Sequence, residues 1–422
     1  MRPAVWLSVL IFALLIAGLA LRSGPALSLA CGLLVYLGFA LYEQPQKAEL
    51  TIERSLSSNR TNIDQPIEVQ VRITNHGPAL HELEIRDQLP RGITLIQGNT
   101  SAIASLASGE TIELQYQIRA TRGIYRFEHV LITQRDRLGL LALSQTLSNA
   151  QQLFVVPNNN KMQHISIRPR RTQIYTGSIP SRQAGAGVEF FGLRDYQAGD
   201  PIRWINARAS ARQNNTLIIN EFEQERVTEV GIILDVRARS YQNSPHGSLL
   251  EQSVSASANL ASGLLDQGNS VGMLLYGNLL NWTIPGFGRR QRERILRTLA
   301  QAEAGDLPAF EELDRIPIRL FPIRTLLILI SPLQARDADT IKRLRARGYQ
   351  IIIISPDPIS FEQQEYHQPS QAQQLAARAA RIERTLLLNS IRQAGVTIVD
   401  WNTAQPFQQV ISSALQRHAP TP

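Results

Sequence analysis

The run Gly187-Val-Glu-Phe-Phe-Gly-Leu-Arg194-Asp195-Tyr196-Gln-Ala-Gly199-Asp200-Pro-Ile-Arg203-Trp-Ile-Asn-Ala-Arg-Ala-Ser210-Ala-Arg212 leads, after Glu221-Phe-Glu-Gln-Glu-Arg226, into the apolar stretch Val230 to Leu234, closed by Asp235. Gly199-Asp200-Pro201 has the composition of a tight turn, and Leu217 to Phe222 reads as a strand. Interleaved acids and arginines around the turn can lock the segment through paired, hydrogen-bonded charges. A strand of continuous apolar residues that delivers an acid to a helix start is the entry of an α/β unit. The residues before the run read as anchor and spacer, and those after it as one domain.

Beyond Asp235 strand and helix periods alternate. Val271–Tyr276, Trp282–Ile284, Leu326–Ile330, Ile351–Ile354 and Val396–Val399 have strand length. Between them, Leu249–Leu265, Gln291–Ala302, Asp337–Arg347 and Gln371–Gln393 have helical spacing, and Phe407–Arg417 fits a last covering helix. This alternation predicts a doubly wound sheet with helices on both faces. Arg378, Arg381 and Arg384 make the Gln371–Gln393 helix basic, and Leu375, Ile382, Leu386 and Ile391 give it a stripe expected to pack on the core.

Working back toward the N-terminus, residues 158–186 are rich in Arg, Gln, Ser and Gly and read as a mobile connector. Residues 46–157 are short alternating segments, such as Glu68-Val-Gln-Val-Arg-Ile-Thr74, separated by Gly and Pro turns. They predict an antiparallel β-sandwich of about seven strands. The runs Thr74-Asn-His-Gly77, Asp87-Gln-Leu-Pro-Arg-Gly92 and Ala107-Ser-Gly-Glu110 resemble the Ig-like repeats of bacterial surface proteins. Residues 1–45 hold two uncharged runs, Ala4–Leu21 and Ala26–Tyr42, broken by Arg22-Ser-Gly-Pro25. Each matches the length of a bilayer-spanning helix, and the short break forces a transmembrane hairpin. Trp6, Tyr36 and Tyr42 near the run ends suit the interfaces. Counting Arg2, Lys47 and Arg54 against Arg22 places both ends of the hairpin in the cytoplasm. Taken with the resemblance to bacterial proteins, this makes the chain an expected multi-pass protein of the bacterial inner membrane with cytoplasmic soluble domains.

At 422 residues the chain exceeds one ordinary domain, and its formal charge of +8, carried almost wholly by Arg, is modest for that length. No nucleic-acid partner is expected. Cys31 is the one cysteine, so no intrachain disulfide can form. Phosphate-loop and nucleophile-elbow motifs do not occur, and the seven His lack metal-ligand spacing, so no enzyme activity and no cofactor are expected.

The loop Asp235-Val-Arg237-Ala-Arg239-Ser240 resembles the von Willebrand factor A domain, whose metal-ion-dependent adhesion site uses an Asp followed at alternate positions by two Ser. Asp235 matches the first ligand, while Arg237 and Arg239 stand where hydroxyls belong, and a guanidinium has no lone pair to give a cation. The family's later acid has Leu329-Ile-Ser-Pro332 in its place. The site is expected to be degenerate and to hold no metal. Arg237, Arg239, Arg289, Arg290 and Arg336, on loops expected at one edge of the sheet, then form an anion-seeking face for a carboxylate-rich partner loop.

Arg194, Asp195, Tyr196, Gly199, Asp200, Arg203, Ser210, Arg212 and Asp235, with Ile284-Pro-Gly-Phe-Gly-Arg-Arg290, resemble the signature of the bacterial domain of unknown function numbered fifty-eight. The family often has Asp-Trp where Asn206-Ala207 stand. The resemblance implies a signature segment plus von Willebrand A-like domain over residues 187–422. It also implies a MoxR-type AAA+ ATPase partner, and so a membrane-anchored, non-enzymatic adaptor in complex assembly or maturation. The alternative is an envelope-facing adhesion or cell-wall assembly protein, which the sandwich's resemblance favours.

Overall fold

The computed structural model describes residues 2–158, 173–212, 216–227, 229–241, 243–244, 247–277, 280–305, 307, 313–323, 325–364 and 370–417. The chain divides into two compact units, Met1–Val156 and Pro157–Pro422.

The first unit begins with two apolar helices, α1 (Arg2–Ala20) and α2 (Gly24–Tyr42). Each is long and apolar enough to cross a membrane. Arg22 takes a left-handed conformation, φ 48°, between them, and Ile11, Ala30 and Ala40 are buried. Nine strands follow: β1 (Leu50–Leu56), β2 (Arg60–Asn62), β3 (Ile67–Asn75), β4 (Leu80–Asp87), β5 (Ile93–Gly98), β6 (Ser101–Leu106), β7 (Thr111–Ala120), β8 (Gly123–Arg135) and β9 (Ala142–Val156). They form two sheets, β1-β3-β7-β5 and β2-β9-β8-β4-β6, around one apolar core that includes Val69, Val71, Leu83, Ile85, Phe127 and Ile132. The pairing departs from the purely antiparallel expectation at β2 and β9, which run parallel.

Arg54 lies inside this core. Its Nη2 and Nε donate to the Asp87 carboxylate at 2.6 and 3.2 Å, its Nη1 donates to the Asn149 carbonyl at 2.7 Å, and the cation stacks 5.3 Å from the Phe127 ring centre. The Tyr116 hydroxyl donates to the same carboxylate at 2.6 Å, and burial, with Asp87 beside it, pushes the phenol's pKa up. Arg54 is therefore an interior charge, and it drops out of the juxtamembrane count used to orient the hairpin.

The second unit opens with a long strand, β10 (Gln173–Asp195), paired antiparallel and with several register shifts to β11 (Ile218–Val227). Residues 173–186, expected as connector, are strand; residues 159–172 of that connector lie outside the described residues. Between β10 and β11 sits the single turn α3 (Ala207–Ser210). After β11 come β12 (Glu229–Asp235), the two-residue strands β13 (Asn243–Ser244) and β14 (Gly247–Ser248), α4 (Leu249–Asp266), β15 (Ser270–Tyr276), β16 (Asn281–Gly286) and α5 (Gly288–Ala300). The unit continues with β17 (Leu326–Ile330), α6 (Asp337–Ala346), β18 (Gln350–Pro356), α7 (Pro358–Gln363), α8 (Gln371–Gln393), β19 (Thr397–Trp401) and α9 (Phe407–Arg417).

The six-stranded sheet has the order β16-β15-β12-β17-β18-β19. Five strands are parallel and the edge strand β16 is antiparallel, so the sheet is mixed. Ile233, Leu274, Leu327, Leu329, Ile351 and Ile353 share one face with Ile341 of α6 and Leu388 and Ile391 of α8. Alternation along the strands leaves Ile232, Met273 and Ile328 for the other face, where α4 and α5 cover β12, β15 and β16. Close packing explains Gly231: a Cβ there would meet the Phe321 ring at 2.5 Å.

Two expectations fail here for local reasons. The antiparallel run of β16 pairs Gly286 with Val271, which carries the start of α5, with Arg289 and Arg290, to the end of the sheet opposite Asp235. The stripe of α8 divides, because only Ile391 packs inward while Leu375, Ile382 and Leu386 are 63, 63 and 65% exposed.

Replacing Arg54 with Met strands the Asp87 carboxylate in the sandwich core, at a cost of about 3–5 kcal/mol. Hydrogen exchange on the full chain should show the amides of β1, β3 and β4 losing protection by that amount, and unchanged protection would refute the role given to the pair.

Candidate functional site

Asp235 ends the central strand of the sheet, where the backbone leaves the core. Its carboxylate is 0% exposed and Arg237, two residues on, is 2% exposed. The return is tight: Val236 N donates to Tyr276 O at 2.7 Å, Gly305 N to Val236 O at 3.1 Å and Ala238 N to Gly305 O at 3.2 Å. Gly277, at φ 147°, lets β15 end against this loop, since a Cβ would lie 2.4 Å from the Arg237 amide nitrogen.

So folded, the loop turns the Arg237 guanidinium back over its own acid. The Arg237 amide and Nε donate to Asp235 Oδ1 at 3.0 and 2.9 Å, and Nη2 donates to Oδ2 at 2.8 Å. The other edge of the fork reaches Asp337 at the first turn of α6, Nη1 to Oδ1 at 3.1 Å and Nη2 to Oδ2 at 2.8 Å. Ser331, just past β17, donates its hydroxyl to Asp235 Oδ2 at 2.7 Å and accepts from Leu333 N at 3.0 Å. Gln334 N donates to Asp337 Oδ2 at 2.8 Å, and Gln334 Nε2 donates to Ser240 Oγ at 3.1 Å.

Two buried carboxylates thus share one guanidinium. Burial works against the charge on Arg237, but the hydrogen bonds and fields of Asp235 and then Asp337 outweigh it and hold the guanidinium more firmly protonated than in water. For Asp337 burial prevails over the Arg237 hydrogen bonds, and its carboxyl is held above the usual range. Beside them the Tyr241 phenol is raised, by burial first and by Asp235 second.

Of the residues expected to face a partner, Arg237 does not: it is an interior cation, because Asp337, a hundred positions away in sequence, completes its hydrogen bonding. Arg239 and Arg336 are exposed and lie beside the triad, two residues past Arg237 and directly before Asp337. Arg289 and Arg290 are exposed too, but at the opposite end of the sheet. The five arginines therefore do not form one face. Where an acid was sought after the fourth strand, the hydroxyl of Ser331 stands instead and donates to Asp235.

The signature segment closes on itself. Arg194 Nη1 and Nη2 hold Asp200 at 2.8 and 2.7 Å, and its Nε holds Glu221 of β11 at 2.8 Å. The Arg194 hydrogen bonds, then the Gln197 amide, keep the Asp200 carboxyl below its usual range. Gly199 at φ 109° makes the turn, and Tyr196 N donates to Leu217 O at 2.7 Å. Ser210 Oγ donates to Asn206 O at 2.8 Å and accepts from Ile218 N at 2.9 Å. Asn206 caps α3, and its Nδ2 donates to Asn220 Oδ1 at 2.8 Å. Asp195, Arg203 and Arg212 stay exposed, with Arg203 6.0 Å over the Trp204 ring.

Sequence reading missed two residues. Asp337 was legible only as a helix-start acid. Arg384 of α8, read as surface charge, donates to Pro332 O at 3.0 Å, Ser355 O at 3.1 Å, Ser355 Oγ at 3.0 Å and Asp400 Oδ1 at 2.7 Å, tying together the carboxyl ends of β17, β18 and β19. Among the described residues no three of His, Cys, Asp and Glu converge as a metal set.

Replacing Arg237 with Met leaves two dry carboxylates facing each other and should lower stability by about 3–5 kcal/mol. The pH dependence comes from Asp337. The folded chain keeps this proton to higher pH than the unfolded chain, so its stabilisation is complete below about pH 3.8 and is lost as pH rises through the raised value. Urea midpoints between pH 4 and 8, on the order of the carboxyl range, should fall more steeply for Arg237→Met than for the parent, and Asp337→Asn should flatten the parent's slope. Midpoints that rise with pH in Arg237→Met would contradict the triad.

No curated protein matches the chain. Similar solved structures include the CARDB domain of the PF1109 protein from Pyrococcus furiosus, at 19% identity over 26% of this chain and 96% of that one, with a TM-score of 0.20. Another is a FixG-related protein from Vibrio parahaemolyticus, at 10% identity over 26% of this chain and 98% of that one, with a TM-score of 0.17. Likeness at these scores carries no argument. The signature clasp, β12 with its Asp235–Arg237 loop, and the elements through β18 fall within residues 192–358, the segment that matches the family model described as Protein of unknown function DUF58.

Proposed function

We propose that the chain is a membrane-anchored, non-enzymatic adaptor that presents its C-terminal α/β domain to a protein partner. The observation that carries this reading is the seat of Arg237. In a sheet of this kind, ligands bind beyond the carboxyl ends of the strands. Here the two carboxylates at that position are hydrogen-bonded to a guanidinium of the chain itself. Beside them, Arg239 and Arg336 stand exposed at the surface of that edge. A cationic rim suits a carboxylate-bearing loop of a partner, where charge sets on-rate and specificity. The domain is read as von Willebrand A-like with a degenerate metal site, the guanidinium standing where the ion would bridge. The family resemblance supplies the partner class, a MoxR-type AAA+ ATPase, and α1 and α2 supply the anchor, a hairpin in the inner membrane with the soluble domains in the cytoplasm.

The tagged full chain, solubilised in detergent, should retain a MoxR-type ATPase, and Arg239→Glu/Arg336→Glu should lose it, most completely at low salt. Retention that is equal for both proteins removes the rim from the proposal, and no retention by the parent removes the ATPase. A compartment-sensitive reporter fused after Pro422 should read cytoplasm; an exported reporter overturns the adaptor reading in favour of an envelope-facing adhesion or assembly protein. Millimolar magnesium or manganese should leave the melting temperature of the parent chain unchanged, and a rise would show that a cation competes for the triad.

A further inference from the structure

Helix α8 has two apolar faces. Arg384, Leu388 and Ile391 turn one of them onto the sheet, where Leu388 and Ile391 are buried and Arg384 binds the strand ends. Leu375, Ile382 and Leu386 lie on the opposite side and are exposed. With Ala379 between the first two and Asn389 after the last, they are spaced four, three, four and three residues apart. This is the seam of a coiled coil, with Ala379 and Leu386 at a positions and Leu375, Ile382 and Asn389 at d positions. An amphipathic helix packed on a core needs one stripe, and the second stripe has no partner among the described residues.

The charges that flank the seam say what covers it. In this register Arg378 occupies a g position and Glu383 the following e position, one on each side of the stripe, and neither forms an ion pair among the described residues. Two copies of α8 set side by side in parallel bring Arg378 of each against Glu383 of the other, twice over by two-fold symmetry. The antiparallel arrangement brings the g flanks together, Arg378 against Arg392, and is repulsive. Asn389, whose Oδ1 accepts from Arg392 Nη1 at 2.9 Å, meets its own symmetry mate in the parallel pair, where the free amide hydrogens can bridge the two copies. We infer that the outer face of α8 is a homodimer seam, occupied by α8 of a second copy of this chain, parallel and in register. The seam is short, and its occupancy rises when both copies are confined to one membrane and the encounter becomes effectively two-dimensional. That last point rests on the anchor reading; the seam itself does not.

The test uses the full chain in detergent and in vesicles, with Cys31 replaced by Ser. Ala379→Cys should give an oxidative cross-linked dimer, and Arg381→Cys, on the flank of the helix away from the seam, should not. Adding Glu383→Arg should reduce the Ala379→Cys cross-link to the level of the Arg381→Cys control. Combining Arg378→Glu with Glu383→Arg should restore it, a recovery that misfolding could not produce. Equal cross-linking at both positions, or loss without restoration by the double reversal, overturns the seam. If Glu383→Arg leaves cross-linking unchanged but strengthens sedimentation with anionic phosphatidylglycerol vesicles, the face contacts lipid and self-pairing is wrong. Because none of these substitutions touches Arg239 or Arg336, ATPase retention should survive them, which separates the failure of this inference from that of the adaptor reading.

Discussion

The loop after the central strand of the second unit's sheet depends on the Arg237 guanidinium lying between Asp235 and Asp337. Two carboxylates that far from water are tolerable only if something positive stands between them. A divalent ion could serve, but it must come from solution, and its contribution would then vary with concentration. The guanidinium is tethered two residues from the acid it pairs with, never dissociates, and matches both carboxylates with a planar fork. It also leaves the cluster one negative charge in excess when both acids are ionised. Ser331, the Arg237 amide and Gln334 N spread that excess, while burial first, and the Asp235 charge last, hold the Asp337 carboxyl above its usual range.

The same device recurs. Arg384 holds the ends of three strands, Arg194 clasps Asp200 and Glu221, and Arg54 holds Asp87 inside the first unit. A chain whose cations are almost all Arg is thereby explained in part as construction rather than as surface charge. Lys offers a point charge without the bidentate fork and could not bridge two carboxylates at these distances with equal fit. Net charge alone is therefore a poor guide to what this surface offers: some of the arginines that raise it are spent in the interior.

Period and composition made the second unit's strands and helices legible, because alternation and helical spacing are local properties written within a dozen residues. Asp235 could be placed at the end of its strand for the same reason. The character of the site could not. Whether Arg237 faces solvent or core depends on Asp337, and nothing in the loop around Asp235 signals an acid at the start of a helix a hundred residues further on. The direction of β16 was hidden for a related reason, since a strand of six residues looks the same in either orientation. The stripe of α8 was visible, but periodicity identifies a face without saying which of two faces the core takes. Residues 173–186 misled by composition, their Gly and Ser reading as connector where the backbone pairs with β11.

The reversal of β16 also changes what the basic residues can do together. Had β16 run parallel, Arg289 and Arg290 would have joined Arg239 and Arg336 on one rim, and a single acidic loop could have met all four. Instead they open α5 at the far end of the sheet, where positive side chains oppose the helix dipole. That cost is only partly offset, by the pairing of Arg292 with Asp266 at the end of α4. Since a β-strand rises about 3.3 Å per residue, the five to seven residues of these strands separate the two ends by well over a Debye length at physiological salt. The two groups of arginines are thus electrostatically independent, and a partner that senses both has to span the domain.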